Sequence, residues 1–138
     1  MKIGIIGSGR VGYSMGKYMQ DHGIRVTGFY DRHRERALDA AQFTGTDSFE
    51  RIEDLVAASD TLFLTTSDGE IANVWDCIRH LSIQGKIICH FSGSLSSDQF
   101  QGIEKTRAYG LSIHPMLAFS DKYTSYKQLQ NAFFTLEG

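Results

Sequence analysis

The chain has 138 residues, of which 41% are hydrophobic and 22% are charged, and these values are typical of one soluble globular domain. Its formal net charge of −2 gives no basic surface for nucleic acid or for an anionic membrane, so we expect neither as a partner. No apolar run approaches the roughly 20 residues of a membrane span, and the first one is too short for a signal peptide, so a cytoplasmic location is predicted.

Short β-rich segments alternate with helical patterns along the whole chain. Strands are predicted at residues 2–6, 25–30, 45–47, 61–65, 86–91, 108–113 and 132–136. Helices are predicted at residues 10–22, 34–43, 49–58, 70–80 and 97–105, and Gly23 supplies the stop of the first. This alternation is typical of an α/β protein with a doubly wound, mostly parallel sheet, and residues 1–138 are predicted to form one such domain.

The two cysteines, Cys77 and Cys89, both lie in apolar patterns. They are not spaced as a close metal pair, and one bridge would not make a disulfide framework. We therefore expect two buried free thiols in a reducing compartment, and we predict no metal site.

The strongest motif follows the first predicted strand and opens the first helix. It has the pattern G-x-G-x-x-G and comprises Gly7, Ser8, Gly9, Arg10, Val11 and Gly12. Gly7 permits a tight turn, Gly9 lets the backbone approach a pyrophosphate, and Gly12 lets the helix pack closely on the strand. The amide groups at the helix start then face the negative charge. The motif in this setting predicts a Rossmann fold in which these six residues bind NAD or NADP.

An acidic residue, Asp31, ends the second predicted strand, 19 residues after Gly12. A carboxylate at this spacing bonds the adenosine ribose and repels a 2′-phosphate, which favours NAD. Arg32 and Arg34 follow directly, and arginine binds phosphate well, which favours NADP. A solvated helix start explains the two arginines at least as well. We favour NADP, with Asp31 and Arg32 as cofactor-binding residues.

Several segments of the sequence resemble known families. Residues 7–12, 29–32 and 65–68 resemble the 6-phosphogluconate-dehydrogenase-like superfamily, which includes β-hydroxyacid dehydrogenases, pyrroline-carboxylate reductases and prephenate dehydrogenases. Residues 90–95 and 112–116 are similar to a narrower group of NADP oxidoreductase-like proteins, in which a helical domain follows the Rossmann-like domain. The resemblance implies that this helical domain, which would complete the substrate site and a homodimer, is not present in residues 1–138.

The loop after the fourth predicted strand is expected to border the cofactor, because open α/β sheets bind ligands at the carboxyl ends of their strands. Thr66 and Asp68 are the residues predicted to do so. Ser67 stands where the family usually has proline. With Glu70 it fits a capping box for the next helix, and we favour that role for both residues.

A second polar group is expected at the same edge of the sheet. Ser92, Gly93 and Ser94 follow the fifth predicted strand, and their hydroxyl and amide groups suit a carboxylate or a carbonyl oxygen. Simple turn chemistry explains these residues equally well. His90, within that strand, is expected to be a core residue whose polar atoms are satisfied.

His114 precedes Pro115, which holds it in an extended conformation at the end of the sixth predicted strand. In prephenate dehydrogenases a His-Pro pair supplies the histidine that handles the substrate hydroxyl proton. The resemblance therefore implies an acid/base role for His114, with Ser92 and Ser94 as its catalytic partners. We predict that these residues line one cleft with the glycine motif.

Three functions are compatible with these motifs. The first is an NAD(P)-dependent oxidoreductase that transfers hydride to or from a small carbonyl, hydroxyl or imine substrate. The second is a sensor or regulatory module that binds NAD(P) without turnover, which the expected lack of a helical domain favours. The third is a methyltransferase, which the close glycine spacing and Asp31 disfavour.

Overall fold

The computed structural model describes residues 1–115, 118–131 and 134–138. Its strands are β1 (Lys2–Ile6), β2 (Arg25–Tyr30), β3 (Asp47–Ser48), β4 (Thr61–Leu64), β5 (Ile87–His90), β6 (Tyr109–Pro115) and β7 (Phe134–Glu137). Its α-helices are α1 (Arg10–Asp21), α2 (Arg34–Thr44), α3 (Ile52–Ala58), α4 (Asp68–Ile78) and α5 (Ile103–Thr106). Within these residues the strands form one sheet in the order β3-β2-β1-β4-β5-β6-β7, which confirms the predicted doubly wound α/β fold.

The direction of the strand order reverses between β1 and β4. The chain runs outward from β1 through β2 to β3, and it then returns to place β4 on the other side of β1. These strands, together with β5 and β6, are parallel, whereas β7 runs antiparallel to β6. The carboxyl ends of β1 and β4 therefore lie side by side. In open α/β sheets this reversal point is the crevice that binds ligands.

Two apolar clusters, one on each face of the sheet, bury its central strands. The cluster on the side of α1 and α2 includes Ile5, Met15 and Phe29. The cluster on the side of α3 and α4 includes Leu62 and Trp75. Every residue of β4 is buried, because this strand is covered on both faces, as its continuous apolar run predicts.

Glycines determine where α1 ends and how closely it packs on the sheet. Gly23 has a φ of +79°, and the neighbouring amide of Ile24 donates to the carbonyl oxygen of Met19 at 2.9 Å. This left-handed turn satisfies the last carbonyls of the helix and confirms the predicted stop. In the middle of the helix, a Cβ on Gly16 would lie 2.8 Å from Cζ of Phe29, so the absence of a side chain lets α1 pack closely on the sheet.

The predicted helix at residues 97–105 is wrong. The structure has a 3₁₀ turn at Ser97–Gln99 and only the four-residue α5, separated by Gly102 in a left-handed conformation. An unpredicted 3₁₀ segment covers Ser125–Asn131. Residues 132 and 133 of the last predicted strand, and residue 116 of the second family-like segment, lie outside the described residues. Within the described ranges, no helix has the length and apolar character that crossing a membrane requires.

Two smaller predictions about α4 are also wrong. Ser67 occupies the N-cap position, but its side chain caps no backbone amide, and the carboxylate of Glu70 faces Arg32 instead of completing a capping box. Cys77 is exposed, because it lies on the outer face of the helix between the buried Trp75 and Ile78. Cys89 is buried as expected, and burial raises the pKa of its thiol to about 12.

Candidate nucleotide-binding site

The glycine loop turns sharply out of β1 and is fixed from both sides. The amide of Gly7 donates to the carbonyl oxygen of Tyr30 at 2.8 Å, and its φ of +100° favours glycine. A Cβ on Gly7 would lie 2.9 Å from the backbone nitrogen of Thr66, and one on Gly12 would lie 2.7 Å from Oγ1 of Thr65. The protein itself therefore requires the first and the third glycine of the motif.

Gly9 is different, because its own fold leaves space beside it. A Cβ there would meet only the carbonyl oxygen of Thr65, at an ordinary contact distance of 3.8 Å. Gly9 is the N-cap of α1, where it has no side chain to accept a hydrogen bond, and no acidic residue lies in the first turn. The amides of the first turn thus have no side-chain cap, and this arrangement suits an anion such as a pyrophosphate.

Asp31 braces the glycine loop. One of its carboxylate oxygens accepts hydrogen bonds from both the amide and the hydroxyl of Ser8, at 3.1 and 2.7 Å. Its other oxygen accepts from the amide of His33 at 2.8 Å. The oxygen that accepts from His33 has one acceptor site left, so Asp31 is able to hold the loop and a ribose hydroxyl at the same time.

A cleft of about 480 Å³ opens at this point of the sheet edge. The cations that line it are Arg10, Arg32, Arg36 and Lys122, and the acids are Asp31 and Glu70. Arg32 lies 3.8 Å from Glu70, a loose contact between exposed groups. Arg34 does not line the cleft, and its guanidinium pairs with Glu50. The cleft is therefore a locally positive region in a chain whose net charge is −2.

Thr66 also lines the cleft, where its hydroxyl oxygen is buried and has no hydrogen-bond partner within the described residues. A buried hydroxyl without a partner is costly, so this group is one that a ligand is able to satisfy. The neighbouring Thr65 hydroxyl donates to the carbonyl oxygen of Gly7 at 2.9 Å and holds the two loops together. Val11, by contrast, packs against the apolar core, so it contributes only its backbone to the loop.

A separate depression of about 340 Å³ contains the second predicted group. Ser92, Ser94 and His114 line it together, and His114 is exposed at the end of β6. The imidazole lies directly over Gly93, where a Cβ would come 2.8 Å from Nδ1 and 3.0 Å from Nε2 of the ring. These residues therefore meet at one edge of the sheet, as was predicted.

The glycine loop and this depression do not share a lining residue in the described part of the chain, although one continuous cleft was expected. The beginning of α4 stands between them. Asp68, expected at the cofactor, accepts a hydrogen bond from the Ser94 hydroxyl at 3.0 Å, while Ser67 and Glu70 line the other side. This hydrogen bond connects the two depressions.

His90 fixes the turn that carries Ser92 and Ser94. Its ring is fully buried in β5. The Nε2 nitrogen lies 2.7 Å from the carbonyl oxygen of Ser96, to which it donates, and Nδ1 accepts from the amide of Ser92 at 3.2 Å. This pattern requires the neutral ring with its proton on Nε2. Both nitrogens are satisfied, as the sequence analysis expected of a core histidine.

Sequence reasoning missed three residues of this region: Thr65, Arg36 and Lys122. A signal was available for Arg36, which lies in the first turn of α2, directly after the predicted cofactor-binding residues Asp31 and Arg32. No local signal points to Lys122, because it reaches the cleft from a distant part of the chain. Among the described residues, no group of three His, Cys, Asp or Glu side chains is arranged to hold a metal ion.

A glycine loop that opens a helix, an acid at the end of β2 and a cleft at the reversal point of the sheet define a dinucleotide-binding protein. Residues 1–84 match the family described as "Oxidoreductase family, NAD-binding Rossmann fold", and the chain belongs to that family. It is therefore an NAD(P)-binding domain of the oxidoreductase class, as the sequence predicted.

Three known proteins are similar to this chain. Glucose-6-phosphate 3-dehydrogenase of Bacillus subtilis is 25% identical over 126 residues, which are 91% of this chain and 35% of that protein. An NADP oxidoreductase-like protein of Bacteroides fragilis has a TM-score of 0.83 at 19% identity, covering 99% of this chain and 51% of its own. A reductive aminase of Aspergillus terreus has a TM-score of 0.74 at 19% identity, and the match covers 99% of this chain and 47% of the aminase. Its structure contains a reduced NADP cofactor, cyclohexanone and allyl amine.

These likenesses confirm the Rossmann fold and the predicted resemblance to NADP oxidoreductase-like proteins. At 19% identity a structural match is informative about the fold alone. The chain spans 35% of the length of the dehydrogenase and about half of each of the two solved structures.

Proposed function

We propose that this domain binds NADP and serves an oxidoreductase that exchanges hydride with a small carbonyl, hydroxyl or imine substrate. The observation that carries the proposal is the cleft beside Gly9, where uncapped helix amides and four cations surround open space. A ligand with several phosphate groups supplies negative charge for these cations and oxygen acceptors for these amides.

The balance of charge favours NADP over NAD. Arg36 and Lys122 line the cleft together with Arg32, and neither has an ion-pair partner within the described residues. Asp31 opposes a 2′-phosphate, and its two oxygens accept three hydrogen bonds from Ser8 and His33, which tie it to the glycine loop and to the start of α2. The cations that line the cleft therefore outnumber its acids.

The substrate side of the proposal rests on His114 and the two serines beside it. When bound, the nicotinamide supplies the hydride. His114 is exposed and free to exchange a proton with a substrate oxygen or nitrogen, and the hydroxyls of Ser92 and Ser94 orient that atom. The imine option is supported by the reductive aminase, which has the same fold and is described with a ketone and an amine.

Calorimetric titration with NAD, NADH, NADP and NADPH tests the cofactor. We expect NADPH to bind more tightly than NADH. Arg32→Ala is expected to weaken NADPH binding by about tenfold or more, the worth of a charge-assisted phosphate contact, and to change NADH binding little. Arg34→Ala is the matched control, because this neighbouring arginine pairs with Glu50 outside the cleft.

Two results would contradict the proposal. An absence of heat and of any thermal shift at millimolar concentrations of all four nucleotides would exclude the cleft as their binding site. Equal affinity for NADH and NADPH, with no selective effect of Arg32→Ala, would exclude the preference for NADP while leaving the domain a binder of dinucleotides.

A further inference from the structure

Among the residues that the structure describes, Lys122 is the one part of the cleft lining that comes from beyond β6. We infer that Lys122 is a specificity-determining residue, which binds the 2′-phosphate of NADP together with Arg32. This inference rests on the proposed function and extends it to a segment that no glycine-motif argument includes. Its position, the turn that holds it and the absence of a direct ion pair with any described residue support this role.

The chain around Lys122 is fixed by a turn built on Asp121. The carboxylate of Asp121 accepts hydrogen bonds from the amides of Tyr123 and Thr124, at 2.8 and 3.2 Å. The amide of Asp121 in turn donates to the hydroxyl of Ser125 at 3.1 Å. Lys122 is therefore the second residue of a closed turn, which fixes the backbone that carries its side chain.

A carboxylate on α2 fastens this turn to the nucleotide-binding half of the sheet. Asp39 accepts a hydrogen bond from the hydroxyl of Tyr123 at 2.9 Å and another, shorter one from the hydroxyl of Tyr13 on α1. The rings of Tyr13 and Tyr123 meet edge to face with their centroids 5.6 Å apart, and Phe43 packs against Tyr123 at 5.2 Å. We name Tyr13, Asp39 and Tyr123 the tyrosine clasp.

The clasp positions the ammonium group of Lys122 near the Asp39 carboxylate, whose pKa it helps to lower, without a direct ion pair between the two. Its Nζ lies 5.0 Å from the ring centre of Tyr13 and 5.1 Å from that of Tyr123. No carboxylate of the described residues lies within ion-pair distance of Nζ, although Asp39 is bound to both tyrosines. The faces of two aromatic rings attract a cation weakly, so a phosphate dianion arriving in the cleft is the stronger partner.

Calorimetric titration of the whole chain with NADPH and with NADH tests this inference. We expect Lys122→Ala to weaken NADPH binding by about three- to tenfold, less than a buried phosphate contact because the lysine is exposed, and to change NADH binding by less than about twofold. Lys127→Ala is the matched control, since Lys127 is exposed in the same segment and does not line the cleft. It should leave both affinities unchanged.

Tyr123→Phe tests the clasp, because it keeps the ring and removes the hydroxyl that Asp39 accepts. We expect it to reduce the preference for NADPH in the same direction as Lys122→Ala. The probes 2′,5′-ADP and 5′-AMP, which differ only in the 2′-phosphate, should show the same selectivity.

Equal losses for NADPH and NADH in Lys122→Ala, or a loss of the same size in Lys127→Ala, would overturn the role of Lys122. If Arg32→Ala remains selective in that case, the proposed function stands and only this inference falls. If the unaltered chain binds neither dinucleotide, the proposed function itself fails.

Discussion

Gly9→Ala separates the contribution of the ligand from that of the fold more sharply than any other single change in the glycine loop. The new methyl group would stand in open space, with the carbonyl oxygen of Thr65 as its nearest neighbour at 3.8 Å. That space is where we propose that the pyrophosphate passes the backbone. The substitution is therefore expected to leave the folded protein intact and to obstruct the nucleotide.

The expected change in stability is small because two effects nearly cancel. Alanine is a poorer N-cap than glycine, at a cost of up to about 1 kcal/mol. Alanine also restricts the unfolded chain, which returns about 0.4–1 kcal/mol. For a domain of this size the melting temperature should then change by no more than about 2–3 °C.

The expected change in binding is much larger. A Cβ beside the uncapped start of α1 displaces a phosphate oxygen from the amides it would meet. Each hydrogen bond to a charged group contributes about 1.5–3 kcal/mol, so the loss of one such bond weakens binding by about 10- to 150-fold. Titration with NADPH measures the affinity, and a thermal melt without ligand measures the stability.

Two further variants serve as controls. A Cβ on Gly12 would lie 2.7 Å from Oγ1 of Thr65 and 2.9 Å from the carbonyl oxygen of Gly7, so Gly12→Ala should destabilise the fold itself, by about 1–3 kcal/mol. Gly69→Ala should impair neither property, because nothing lies within 4 Å of a Cβ there. Wild-type affinity for NADPH in Gly9→Ala would refute the proposal that the pyrophosphate passes over this residue.

Two other predictions concern the second depression and the clasp. Gly93→Ala should displace the ring of His114 and lower the rate of hydride transfer as much as His114→Ala does. The expected decrease is about 10²- to 10⁴-fold if the imidazole is the general acid or base. A normal rate, or NMR resonances of His114 that do not shift, would contradict this prediction. Hydrogen bonds from two tyrosines lower the pKa of Asp39, so its stabilising contribution is complete above the unfolded value of about 3.9 and is lost as the pH falls through the folded value. The melting temperature of the wild type should therefore exceed that of Asp39→Asn most at neutral pH, and the difference should close below about pH 4. A difference in melting temperature that is independent of pH would exclude an ionised Asp39.

Patterns that depend on neighbouring residues were predictable from the sequence. The alternation of strands and helices follows from local apolar periodicity, and the glycine motif predicts both the turn after β1 and the start of α1. The position of Asp31 at the end of β2 follows from the same βαβ unit. The meeting of Ser92 with His114 was also predictable, because β5 and β6 are adjacent parallel strands whose carboxyl ends must coincide.

Features that depend on tertiary contacts were not predictable in this way. The segment at residues 97–105 has a helical composition, but Gly102 and the burial of Phe100 break it into short turns. Glu70 has the spacing of a capping residue, but its carboxylate lies on the side of Arg32, at a loose distance of 3.8 Å. Lys122 reaches the cleft only because the tyrosine clasp folds a distant segment over α1, and no pattern within that segment reveals it.

The brace that Asp31 forms with Ser8 has a practical consequence for redesign of the cofactor preference. Exchange of the acid at the end of the second strand is an obvious way to convert an NAD enzyme into an NADP enzyme, or the reverse. Here the same carboxylate oxygen accepts hydrogen bonds from both the amide and the hydroxyl of Ser8, so such an exchange also releases the glycine loop. Recognition of the ribose and rigidity of the loop cannot be altered separately at position 31. An engineer would do better to leave that acid in place and vary Arg32 and Lys122, which line the cleft without supporting the loop.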